Sequence, residues 1–91
     1  MKMQTQKFIS NTKIHHMGMV PIVAYLIING HLEIIDSKGN KNRIIAGEMI
    51  GLKEVWHHQP LHFDIDTTPG TTLLPLDKTM LLRFKEVLIE I

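Results

Sequence analysis

The chain has 91 residues, 44% of them apolar and 5% aromatic, with ten basic against nine acidic side chains and no cysteine. A net charge of +1 without a basic run argues against a nucleic-acid partner, which needs a clustered positive face. The missing cysteines exclude a disulfide framework and a thiolate metal site. The length fits one small domain over residues 1–91, with Leu, Ile and Val filling the core. No leader-like apolar stretch opens the sequence, and no run approaches the 18 or so apolar residues of a membrane span. A soluble, cytoplasmic protein without membrane contact is the expectation.

Residues 1–6 are polar and are expected to be loosely ordered. Lys7 to Ile14 reads as a short strand with a weak turn at Ser10-Asn11-Thr12. His15 to Val23 is an apolar loop, and Pro21 restricts it to a loop or sheet edge. Tyr25 to Gly51 organises the whole. Strand-forming Tyr25 to Ile28 leads to the turn or bulge signal Asn29-Gly30, and Leu32 to Ile35 resumes the strand. Asp36 to Asn40 supplies turn formers, and Arg43-Ile44-Ile45 pairs back before Gly47. Leu52 to Pro60 is a turn or short helix carrying Trp56, His57 and His58. Leu61 to Asp66 alternates as a strand, with Leu61, Phe63 and Ile65 inward and His62, Asp64 and Asp66 in water. After the Pro69-Gly70 turn, Thr71 to Leu76 is the last strand.

Asp77 caps a terminal helix whose stripe is Leu81, Phe84, Leu88 and Ile91, with Leu82 and Ile89 on a second apolar face. Many short strands and one terminal helix imply an all-β antiparallel barrel or sandwich. The expected core is Leu26, Ile28, Leu32, Ile34, Ile45, Phe63, Ile65, Leu74, Leu81 and Phe84. Two apolar surfaces, Met17, Met19, Val20, Ile22 and Val23 in the loop and Leu82 with Ile89 on the helix, predict a homodimer or another protein partner.

From Gly18 to Leu88 the sequence resembles the cyclic nucleotide-binding domains of catabolite-activator-type regulators, kinases and channels. Gly18 seven residues before Tyr25, then Gly30, is similar to the family's second and third strands. Gly47-Glu48-Met49-Ile50-Gly51 resembles the opening of its phosphate-binding cassette, and Thr72 to Leu82 its last strand and following helix. The resemblance implies a double-stranded β-helix (jelly roll) with a C-terminal α-helix. It places a ligand pocket at Glu48, Ile50, Gly51, Leu52, Leu61 and His62. It also implies a long covering helix, before which a chain ending at Ile91 stops.

The family's ribose-binding Glu position holds Leu52. Counting back from Pro69-Gly70 puts Leu61 at the phosphate-binding Arg and His62 at its hydroxyl neighbour; counting forward from Gly51 puts His62 at the Arg. Inward alternation favours the first. The resemblance therefore implies a non-enzymatic regulatory, sensor or interaction module that does not take cyclic AMP or cyclic GMP in the usual way. A sensor of a different small molecule is one alternative. A small cupin-type metal protein or enzyme is another, with Gly47-Glu48 ten residues ahead of His58 and with His16, His58 and His62 as its ligands. Only two of the four cupin ligand positions carry a suitable side chain, so no metal and no cofactor is expected. The remaining His and Asp side chains read as solvated, and no acid–base pair or activated Ser is placed by a motif.

Overall fold

The computed structural model describes residues 4–83. In order these form β1 (Gln6–Lys7), β2 (Thr12–His15), β3 (Val23–Asn29), β4 (His31–Ile35), β5 (Lys41–Ile45), β6 (Met49–Ile50), α1 (Leu52–His57), β7 (Asp64–Thr67) and β8 (Thr72–Asp77). Residues 78–83 are helical. The strands make two four-stranded sheets, ordered β1-β8-β3-β6 and β2-β7-β4-β5. β1 pairs with β8, β2 with β7, β3 with β6 and β4 with β5, all antiparallel. The chain is thus one long hairpin folded over itself, which is the jelly-roll arrangement.

Local chemistry explains the corners. The Asp36 carboxylate accepts the Lys38 and Asn40 amides at 2.9 Å each, closing the β4–β5 turn where the turn formers predicted it. Gly30, at φ 82°, carries the chain out of the first sheet and into the second, so Asn29-Gly30 makes a corner between sheets. Asp77 caps as expected: its carboxylate accepts the Met80 amide at 2.9 Å.

The core has two layers. Ile27, Ile50 and Leu73 of the first sheet meet Leu32 and Ile65 of the second, with Leu61 among them. Behind the first sheet, Ala24 and Leu76 pack under Val55 of α1 and Leu81. β3 therefore alternates between two apolar surroundings, with Tyr25 and Ile27 facing the opposite sheet and Ala24 and Leu26 facing the helices. The outer face of the second sheet is wet. One rung there reads Lys13, Asp66, Glu33, Arg43 across its four strands, opposite charges flanking an acidic pair.

The core expectation needs correcting at both ends of this block. Ile28 is 48% exposed, because it shares the face of Ala24 and Leu26 without being covered by the helices. Ile45 is 54% exposed, because Ile44 takes the inward place on β5 and alternation turns its neighbour outward. Leu32, Ile65 and Leu81 are buried, and Leu26, Ile34, Phe63 and Leu74 pack half-buried against the core. Phe84, Leu88, Ile89 and Ile91 lie outside the described residues.

Three element boundaries also differ. Lys7 to Ile14 is split between β1 and β2 in opposite sheets, and order begins already at Gln6, which pairs with Leu73. The strand expected over Leu61 to Asp66 starts at Asp64, because the Leu61 backbone is bonded to the preceding loop instead. The last strand is shifted one residue, to Thr72–Asp77.

Candidate functional site

The expected ligand pocket starts at the turn after β5. Glu48 donates its amide to the Ile45 carbonyl at 3.1 Å, and its carboxylate accepts the Ile45 amide at 2.9 Å. The Glu48 side chain therefore clamps its own turn and is exposed. Ile50 pairs with Tyr25 and is buried in the core between the sheets. Gly51, at φ 89°, is the residue before α1 and accepts the Val55 amide at 2.9 Å through its carbonyl. Leu52 begins α1 and is 47% exposed.

Leu61 is 3% exposed and belongs to the same buried cluster as Ile50. Its amide donates to the Met19 carbonyl at 3.0 Å, and its carbonyl accepts the Gly18 amide at 2.9 Å. His62 is exposed. Of the six residues, the structure packs Ile50 and Leu61 together; Glu48, Leu52 and His62 stand on the surface. Among the described residues, no group of three or more His, Cys, Asp or Glu side chains could hold a metal ion. His16, His58 and His62, each exposed, do not assemble into a ligand set.

A cavity of about 270 Å³ lies elsewhere, beneath the loop that joins β2 to β3. Ile14, Val20, Pro21 and Val23 make much of its wall, with His15 and Tyr25 as polar members. The sequence reading of His15 as a solvated loop residue needs correcting, and Tyr25 was given a strand place without a site role. His15 is 8% exposed because the β2–β7 register shifts between Lys13 and His15, and no motif announces such a shift. Only the apolar run from Met17 to Val23 marked the region.

Beside the cavity the loop is anchored electrostatically. The Asp64 carboxylate accepts the Met17 amide at 2.8 Å and meets Lys13 Nζ at 3.1 Å. These two contacts, the amide first, hold its carboxyl below the usual carboxylate range. Lys13, bound chiefly by Asp64, is shifted up in turn. Asp66 Oδ1 lies 3.7 Å from Lys13 Nζ, too far for a hydrogen bond.

No family model matches the sequence, and no curated protein matches it. Solved structures do match. The catabolite activator protein of Thermus thermophilus superposes with a TM-score of 0.80 at 18% identity, over 94% of this chain and 43% of that one. The chain has the cyclic-nucleotide-binding fold.

That fold recurs at 17% identity in the regulatory domain of Toxoplasma gondii PKA crystallised with cAMP, TM-score 0.76, over 89% of this chain and 33% of that one. It recurs again at 14% identity in CLP, the c-di-GMP-responsive global regulator of Xanthomonas campestris, TM-score 0.76, over 97% of this chain and 45% of that one. The chain spans less than half the length of these three proteins. Among the described residues no helix is long and apolar enough to cross a membrane.

Proposed function

We propose that the chain is a regulatory module, sensing or binding a partner, whose cyclic-nucleotide-binding fold does not hold cyclic AMP or cyclic GMP in the usual way. The observation that carries this reading is the burial of Leu61, at 3% exposure, where the resemblance puts the phosphate-binding Arg. A phosphate there would be desolvated against an aliphatic core without a counter-charge. Leu52 supplies no carboxylate for a ribose, and the neighbouring Glu48 carboxylate is spent on Ile45. Losing one partner of a buried, hydrogen-bonded charge pair costs about 2–5 kcal/mol, or roughly 30- to several-thousand-fold in affinity. Two such anchors are absent.

Regulatory proteins with this fold support the reading, among them one described as responding to c-di-GMP and one as binding cAMP. Their difference in ligand also supports a sensor of another molecule as the second reading. The cupin alternative gains no support, since His16, His58 and His62 form no ligand group among the described residues.

Isothermal calorimetry with cyclic AMP and cyclic GMP tests the proposal. The expected result is no binding tighter than about millimolar. A micromolar dissociation constant would overturn it and make His62 the first suspect.

A further inference from the structure

The cavity beneath the β2–β3 loop shares no lining residue with the expected nucleotide pocket, though it adjoins it where Tyr25 pairs with Ile50 and the Met19 carbonyl accepts the Leu61 amide. An apolar cavity of about 150 Å³ takes up a benzene molecule. In proportion, the space of about 270 Å³ here holds roughly ten non-hydrogen atoms. Ile14, Val20, Pro21 and Val23 offer such a body an aliphatic surface.

Of the three polar side chains on the wall, His16 is exposed to water, while His15 Nε2 and the Tyr25 hydroxyl lack partners among the described residues. His15 Nε2 is shielded from water and makes no hydrogen bond. The Tyr25 hydroxyl makes none among the described residues, and burial raises its pKa, so it keeps its proton and can donate. A buried nitrogen such as His15 Nε2 is rarely left in that condition, because an unmade hydrogen bond is costly. The His15 imidazole forms part of the wall, and a half-turn of the ring exchanges Nε2 with Cε1. That movement is the way to offer the nitrogen to an occupant.

Charge narrows the class further. The nearby cation, Lys13, is held by Asp64 and Asp66 on the wet face of the second sheet. His16, the basic side chain of the wall other than His15, is exposed, where an ion pair is worth little, so an anion's desolvation would be poorly compensated. We propose that this cavity binds a small uncharged amphiphile, such as a ketone, lactone or amide, whose carbonyl accepts hydrogen bonds from His15 and Tyr25. The proposal stands whatever calorimetry with cyclic nucleotides returns, because the two tests address different residues.

Methyl-detected NMR titration of the full chain with 2-octanone tests it, with octanoate as the charged control. Expected are a dissociation constant below about 1 mM, shifts concentrated on Ile14, Val20 and Val23, and binding of octanoate at least about tenfold weaker. Tyr25→Phe should weaken 2-octanone roughly fivefold, the worth of one net hydrogen bond. His15→Phe should do the same, and Tyr25→Phe keeps the test decisive if that variant fails to fold. Equal shifts at the exposed Met49 and Leu52 methyls, octanoate binding as tightly as the ketone, or an unchanged affinity in Tyr25→Phe would each overturn the proposal.

Discussion

At Gly30 a single hydrogen atom decides whether the two sheets can meet. A Cβ there would lie 2.6 Å from Thr71 Oγ1 and 2.8 Å from Thr71 Cα. Thr71 is fully buried, and its hydroxyl donates to the His31 carbonyl at 2.9 Å, so neither atom can withdraw cheaply. Gly30→Ala should therefore combine a positive-φ penalty of about 1–2 kcal/mol with an overpacking penalty of about 1–3 kcal/mol. Gly47, at φ 92°, has nothing within 4 Å of the same imaginary atom, so Gly47→Ala should cost only the first part. Thermal melts of the two variants check this; equal losses would show that the Thr71 contact does not matter. The sequence announced Gly30 as a turn residue, since Asn-Gly is a local signal. Its role as the passage between sheets was not legible, because that depends on Thr71, forty-one residues away.

Among the elements, α1 is instructive because its ends are unusual. His58, at φ 54°, takes the left-handed place after the helix and donates its amide to the Glu54 carbonyl. Glycine occupies that conformation without the Cβ clash, so His58→Gly should raise stability by about 0.5–1 kcal/mol. A rise in melting temperature would confirm a purely backbone role for His58; a fall would mean that the imidazole makes a contact worth more than the strain. A turn or short helix was expected over Leu52 to Pro60, and Leu52–His57 is helical. The faces of β3 were less legible. Leu26 and Ile28 look like the inward pair of an ordinary half-buried strand, yet both faces are apolar. Tyr25 and Ile27 go to the opposite sheet, and Ala24 and Leu26 go under the helices. Period two gives the alternation but not which layer covers each face, so Ala24 and Ile27 were missed. The surroundings of Leu61 were no more legible: the resemblance singled the residue out, but its backbone bonds to Gly18 and Met19 are tertiary.

For the molecule as a whole, uncovered apolar surface is the main quantity left to explain. Ile22 is 85% exposed, Met19 57%, Leu82 43% and Val20 38%, whereas Met17 is half-buried. Of the five expected loop residues Met17 and Val23 are half-buried, and Met17 is already engaged with its own fold through its amide and Asp64. Such a surface predicts two-fold self-association. Sedimentation equilibrium at tens of micromolar should give the dimer mass, and a single monomeric species would overturn this expectation. Ile22→Glu should dissociate the dimer if the loop is the contact, and Leu82→Glu if the helix is.

The folded-over hairpin also sets a timetable. Among the described strands only β4 and β5 are partners close in sequence; β3 must wait for β6 and β8, β2 for β7, and β1 for β8. During synthesis the β4–β5 hairpin can form as soon as Ile45 has emerged, but Gln6 and Lys7 stay unpaired until Thr72 and Leu73 arrive. The sheets close outward from that hairpin like a zip, with the earliest-made strand the last to be fastened. Such distant pairing makes folding slow for the chain's size and leaves the apolar strands open to wrong partners while it lasts.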